Sequence, residues 1–265
     1  MTASSAPPLA LSNVSKAFRV APAGHRERAR IVAALGDVSL QAGEHEFVSL
    51  IGPSGCGKST LLKIACGLMA PDEGEVLWHG DPGAERLGRI GYMPQNDLLL
   101  PWRRLLDNLV LGPEIQRHDM SEARGRAHEL LPLFGLEGFE GSYPSQLSGG
   151  MRQRAALLRT FLAANEVLLL DEPFGALDAL TRRTMRTWLL DVWRRFRHTI
   201  VLVTHDVDEA ILLSDRVVVL SPRPATIAAT IAVELPRPRH ECLLSESAFA
   251  AYRQRMLTLL GVASA

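Results

Sequence analysis

Gly52-Pro53-Ser54-Gly55-Cys56-Gly57-Lys58-Ser59-Thr60 is the stretch whose reading decides the fold. It fits the pattern G-x-x-x-x-G-K-[ST]. Residues 47–51 before it form a short apolar run that reads as a buried strand, and residues 60–69 after it read as a helix. A strand, a glycine-rich turn and a helix in that order make a phosphate-binding P-loop. Gly52, Gly55 and Gly57 let the backbone bend tightly and aim N–H groups inward. The start of the helix adds a partial positive charge at the same spot. Lys58 can reach the β- and γ-phosphates of a nucleotide, and the Ser59 hydroxyl can ligate Mg²⁺. Pro53, Ser54, Cys56 and Thr60 complete the predicted nucleotide-binding set. A glycine-rich turn with a chance lysine is the plainer alternative, and the flanking pattern weighs against it.

Composition sets limits on this reading. The 265 residues, 47% of them hydrophobic, suffice for one large domain or two lobes sharing a core. Lys+Arg and Asp+Glu are 29 each, so no net charge draws the chain to nucleic acid or to an anionic membrane. Cys56, Cys66 and Cys242 show no C-x-x-C pairing, which predicts neither a disulfide framework nor zinc. No apolar run approaches the roughly 20 residues needed to span a bilayer. Residues 1–10 lack the basic-then-apolar pattern of a signal peptide. A cytoplasmic chain is expected, serving any membrane process through a separate partner.

Along the chain, a strand is predicted from Leu9 and ends at Phe18. Residues 19–31 read as a loop or hairpin tip, with Arg26, Arg28 and Arg30 solvated. A strand at 35–41 leads into the P-loop strand. A turn at 71–74 precedes strands at 75–79 and 89–93. Residues 96–165 carry few β-branched residues and read as a helical lobe. One of its helices is capped by Ser121 and runs to about Phe134; another covers 150–164. Residues 167–170 return to the core as a central strand. A helix over 179–197 places Met185, Trp188, Leu189, Val192, Trp193 and Phe196 on an apolar face, with Arg182, Arg183, Arg186, Arg194, Arg195 and Arg197 on a wet one. Strands at 199–203 and 216–220 flank a helix at 207–213, where Asp206 and Glu209 fit a capping box. A last strand at 226–233 and a terminal helix at 245–260 follow. The alternation predicts an α/β fold with a parallel sheet.

Further residues carry chemistry. Leu168-Leu169-Leu170-Asp171-Glu172 is an apolar strand ending in two acids. Asp171 can hold the Mg²⁺ shell, and Glu172 can polarise a water in line with a γ-phosphate. An acidic turn is the plain reading, and the upstream P-loop weakens it. Gln95 follows a predicted strand and could bridge Mg²⁺ or the attacking water, although alone it says little. His205 ends the strand at 199–203, at the edge where α/β folds bind ligands, which points to a γ-phosphate contact. Ser148-Gly149-Gly150 opens a helix with free N–H groups and a hydroxyl, a second anion-receptive end. On physics alone, a serine cap with flexible glycines is the preferred reading there.

The P-loop, Gln95, residues 147–150, residues 168–172, Gly175-Ala176-Leu177-Asp178 and His205 stand in the order seen in ATP-binding-cassette (ABC) ATPases. The sequence resembles that family over residues 9–220, on six spaced motifs. The resemblance implies an α/β P-loop NTPase core with a parallel sheet, an N-terminal antiparallel β region and an inserted helical subdomain. It implies a single nucleotide-binding domain over 1–265, with a catalytic core at 9–95 and 166–221, the helical subdomain at 96–165 and an extension at 222–265. ATP and Mg²⁺ are the implied cofactors, with Ser59, Gln95 and Asp171 around the metal. It further implies a head-to-tail homodimer enclosing two ATP molecules. Ser148, Gly149 and Gly150 of one copy then meet the γ-phosphate held by the other, Asp178 lies at the seam, and Phe18 stacks on adenine. Two departures stand out: Met151 replaces a glutamine frequent in the signature, and the interval from Phe18 to the P-loop is longer than usual.

Residues 96–102, 171–178 and 204–210 resemble the branch that imports nitrate, sulfonate, taurine or thiamine-precursor pyrimidines. In that branch the segment after the glutamine receives a helix of the membrane subunit. The apolar run Leu98 to Trp102 suits such docking, and equally suits packing inside the helical lobe. The implied function is ATP hydrolysis, with Glu172 as base and Lys58, Gln95 and His205 assisting. It would energise an importer of a small anionic or nutrient solute. Two transmembrane permease subunits and, through them, a solute-binding protein are the implied partners, at the cytoplasmic face of the plasma membrane; nucleic acid is not. A soluble ABC ATPase of an assembly or repair complex is the alternative. A P-loop small-molecule kinase needs neither Ser148-Gly149-Gly150 nor His205. Cys56, within the P-loop, is expected to be open to alkylation and protected by ATP.

Overall fold

The computed structural model describes residues 6–20, 30–163, 166–175 and 177–262. In order these form β1 (Leu9–Val20), β2 (Arg30–Ala42), β3 (Phe47–Ile51), α1 (Lys58–Ala65), β4 (Glu73–Trp78) and β5 (Gly91–Met93). Helices α2 (Leu105–Leu109), α3 (Leu111–Ile115), α4 (Met120–Leu130) and α5 (Gly149–Ala163) follow. Then come β6 (Val167–Asp171), α6 (Ala179–Phe196), β7 (Thr199–Val203), α7 (Val207–Leu213), β8 (Arg216–Leu220), β9 (Ile227–Ala232) and α8 (Ser247–Leu259).

The central sheet has the order β5-β6-β7-β3-β8-β9, parallel except for the antiparallel edge strand β9. Its inner strands are apolar on both faces because each face meets its own core. Phe47, Ile51, Leu168, Leu170, Ile200, Leu202, Val217 and Val219 pack with the helices α2 and α4 to α8. Their alternates Val48, Leu50, Val167, Leu169, Val201, Val203 and Val218 pack with α1 and the antiparallel sheet. Side chains of period two, all buried, are what a strand covered on both sides requires. The antiparallel sheet has the order β2-β1-β4.

Several expectations are corrected. Arg19 and Val20 pair with Ile31 and Arg30, so β1 and β2 run into the predicted loop. Arg26 and Arg28 lie outside the described residues. Residues 73 and 74, read as turn, belong to β4: Ser15 pairs with Glu73. Gly74 has φ +80°, and a Cβ there would sit 2.4 and 2.3 Å from the carbonyls of Ser12 and Asn13, so only glycine lets β4 close on β1. Asp119, not Ser121, caps α4: its carboxylate accepts from the N–H groups of Ser121 and Glu122 at 2.7 and 3.1 Å. That helix stops at Leu130, because Pro132 has no N–H to continue the ladder. Arg186, read as wet, is only 9% exposed; it is bonded to Glu241 at 3.0 Å and lies 3.7 Å from Asp206. Asp206 caps α7, but the Glu209 carboxylate accepts from the Thr204 hydroxyl at 2.6 Å, so the reciprocal half of the capping box is absent. No helix among the described residues is long and apolar enough to cross a membrane.

Candidate active site

The carboxyl ends of β3, β6 and β7 open onto one cleft, the position where parallel sheets bind ligands. It holds about 490 Å³ and is lined by Ser54, Gly55, Gly57, Lys58, Ser59, Thr60, Gln95, Glu172, His205 and Arg223. Strand β3 delivers the P-loop and α1 receives it. Among the described residues no side chain caps α1, which leaves the first N–H groups of the helix available to a ligand. Gly57 has φ +130°, and a Cβ there would lie 2.8 Å from Leu35 Cδ2 and 3.0 Å from the Ala34 carbonyl. The loop is therefore seated directly on β2. Lys58 Nζ donates to the carbonyls of Gly52 and Pro53 at 2.8 and 3.1 Å, folding the ammonium against its own loop.

Strand β6 delivers the acids. Asp171 is buried and accepts from the Ser59 hydroxyl and, at 3.4 Å, from the Tyr92 hydroxyl. Burial raises its pKa above the ordinary carboxylate value; the Ser59 bond opposes this and the Glu172 charge adds to it. Glu172 sits in the left-handed region at φ +48°, with its N–H bonded to the Val203 carbonyl at 2.9 Å. The chain turns there and presents the carboxylate to the cleft. Glu172 Oε2 accepts from Gln95 Nε2 at 3.1 Å and lies 3.3 Å from His205 Nδ1. Gln95 and His205, each following a different strand, thus converge on one carboxylate oxygen of Glu172.

Other candidates stand elsewhere. Phe18 lies on β1 opposite Val32, half-buried, and is not among the residues lining the cleft. Ser148 accepts from the N–H of Met151 at 3.2 Å at the start of α5. A Cβ on Gly150 would lie 3.1 Å from Thr181 of α6, so Gly149 and Gly150 sit beside the start of that helix and outside the cleft. Asp178 caps α6, accepting from the N–H groups of Leu180 and Thr181. Ala176 lies outside the described residues. Cys56 overturns the expectation of an accessible thiol: it is 2% exposed and belongs to the core under β2 and α1. The apolar run after Gln95 is split, with Leu99 buried and Trp102 72% exposed.

Among the described residues no group of three or more His, Cys, Asp or Glu could by itself hold a metal ion. The hydroxyl of Ser59, the amide of Gln95 and the carboxylate of Asp171 are hard oxygen donors. Such a sparse set suits Mg²⁺, which is usually held by one or two side chains together with phosphates and water.

A family model described as "ABC transporter" matches residues 35–175, a span that runs from β2 through the P-loop and α5 to both acids. The chain belongs to this family. The ABC ATPase is 39% identical to the aliphatic sulfonates import ATP-binding protein of Bacillus cereus over 94% of each chain. It is 47% identical to the formylaminopyrimidine import ATP-binding protein of Halalkalibacterium halodurans, over 71% of this chain and 73% of that one. It also resembles the solved dimeric post-hydrolysis state of the ATP-binding cassette MJ0796 bound to ADP and Pi, with a TM-score of 0.71 and 32% identity over 86% of this chain and 100% of the other. The fold is accordingly that of an ABC cassette, and the protein is an ATP-binding ATPase.

One cleft residue of this ATPase was not anticipated. Arg223 follows β8, and in the sequence Pro222 and Pro224 read only as breaks in the pattern. A lone arginine between prolines carries no motif. Only the sheet order, which sets β8 beside β3, brings it to the P-loop.

Proposed function

We propose that this ATPase energises an importer of a small anionic or nutrient solute, docked on two transmembrane permease subunits at the cytoplasmic face of the plasma membrane. The observation that carries the catalytic part is the Glu172 carboxylate, oriented by Gln95 and His205 at the mouth of the P-loop cleft. In this reading the P-loop N–H groups cradle the phosphates of ATP. Lys58 exchanges its carbonyl partners for the β- and γ-phosphates, and Phe18 stacks on adenine. Ser59, Asp171 and Gln95 would hold Mg²⁺, which when bound neutralises charge on the phosphates. Glu172 takes a proton from the attacking water, and His205 fixes both that carboxylate and the γ-phosphate. A second copy supplies Ser148, Gly149 and Gly150 to complete the site, with Asp178 at the seam. Residues 9–95 and 166–221 act as the catalytic core, 96–165 as the helical subdomain and 222–265 as an extension.

The importer assignment draws on relatives named for import of aliphatic sulfonates and formylaminopyrimidine. Exposed Leu98 and Trp102 beside the helical segment offer an apolar surface for a permease helix, through which a solute-binding protein would be served. Glu172→Gln tests the chemistry: it is expected to bind MgATP within a few-fold of wild type, to lose at least about 100-fold in turnover, and to form an ATP-dependent dimer by light scattering. Wild-type turnover, or a monomer at saturating MgATP, would reject the mechanism. The same variant, tagged and incubated with MgATP in detergent-solubilised host membranes, is expected to retain a multi-spanning protein by mass spectrometry. Recovery of soluble complexes alone would reject the importer assignment and leave the ATPase standing.

A further inference from the structure

We infer that Arg223 is a second phosphate-binding cation of the nucleotide cleft, an inference that rests on the ATP-binding reading of that cleft. Its side chain lines the cleft together with P-loop residues. One terminal guanidinium nitrogen lies 3.6 Å from the point that a Cβ on Gly55 would occupy. Among the described residues the side chain has no hydrogen-bond or ion-pair partner. Other arginines of the later chain are paired: Arg186 with Glu241, Arg237 with Asp215 and Arg253 with Asp208. An unpaired, solvated arginine is common on protein surfaces; one that forms the wall of a polyanion site has an obvious ligand. Its planar fork of N–H donors matches phosphate oxygens bidentately, which a lysine cannot do.

The anchor of this arginine is rigid relative to the P-loop. The turn that carries it is closed by Ser221 N–H to the Thr226 carbonyl at 3.0 Å and by Thr226 N–H to Ser221 Oγ at 2.9 Å. Ala225 donates to the Ala34 carbonyl and accepts from the Gly36 N–H, both at 2.9 Å. Ala34 and Leu35 are the residues on which Gly57 of the P-loop is seated. On the other side, a Cβ on Gly52 would lie 3.0 Å from the Leu220 carbonyl. The loop and the arginine therefore share one strip of β2 and one end of β8 as their support. The backbone that carries the cation is held beside the P-loop before any nucleotide arrives, so little ordering of backbone accompanies binding.

The test uses the full chain carrying Arg223→Gln, with MgATP affinity measured by calorimetry and turnover resolved into KM and kcat. The expected result is about tenfold weaker MgATP binding, the size of one lost charge-assisted contact. KM should rise by a similar factor, while kcat stays within about threefold and the melting temperature without nucleotide is unchanged. Arg223→Lys should recover part of the affinity, as a point charge replaces the fork. An affinity within twofold of wild type in Arg223→Gln would overturn the inference and leave a solvated arginine. So would an equal loss in both variants accompanied by a lowered melting temperature without nucleotide, which assigns the residue to the turn. Failure of the wild-type chain itself to bind MgATP would sink the underlying reading, a result distinct from a defect confined to the variant.

Discussion

His198 is buried with little polar compensation. Both ring nitrogens are buried and, among the described residues, without a hydrogen-bond partner, and the ring packs edge-on against Phe161 with centroids 4.3 Å apart. Burial, and then the charges of Arg126 and His45, push its pKa from the ordinary 6.5 down to about 4. The unfolded chain takes up this proton near pH 6.5, whereas the folded chain resists until about pH 4. Stability is therefore complete above 6.5 and declines as the pH falls through that window. From pH 7.5 to 5.5 this site should cost about 1 kcal/mol. Urea unfolding of His198→Phe at both values is expected to lack that part of the decline; an unchanged acid slope would place it elsewhere. Glu172 carries a parallel lesson. Its chemistry was legible as an acid after an apolar strand, but its left-handed turn depends on the bond to Val203, a residue 31 positions away.

Elements were legible where periodicity was strong. The extents of β7, α7 and β8 agree with the residues predicted: β7 and β8 are short β-branched apolar runs, and α7 opens on the Asp206 cap between them. Ends were legible only where capping chemistry was unambiguous. At the start of α4 both Asp119 and Ser121 can cap, and the choice was settled by which side chain reaches two free N–H groups. Asp119→Ala should cost about 1 kcal/mol, and Ser121→Ala should change stability by no more than about 0.5 kcal/mol. Thermal denaturation of the two variants side by side decides it, since a larger loss in Ser121→Ala reverses the assignment. On α6 the apolar stripe was plain, but burial of Arg186 follows from Glu241, which arrives from the far end of the chain.

At the scale of the molecule, the segment after β8 is part of the core. Phe249 and Met256 of α8 are fully buried in the cluster that includes the inner strands. Arg253 of α8 bonds Asp208 of α7 at 2.6 and 3.0 Å. Buried Arg239 donates to the carbonyls of Ile211, Ser214, Val233 and Leu235, and burial pushes its pKa down to about 10. This ties the tail to the helix that follows His205. Phe249→Ala should therefore cost about 3–5 kcal/mol in denaturant unfolding, the range for a filled aromatic site. A loss under 1 kcal/mol would show that the tail packs independently of the sheet.

By itself the sequence determined the family, the P-loop with its flanking strand and helix, the two acids after β6, and the alternation that dictates a parallel sheet. Each of these is written in residues adjacent along the chain, where spacing and side-chain chemistry act locally. The tertiary structure alone decided that Gln95 and His205 meet Glu172, that Cys56 is closed to solvent, and that Arg223 joins the cleft. Those outcomes depend on strand order, which brings together groups far apart in sequence through packing of two apolar faces that no local pattern encodes.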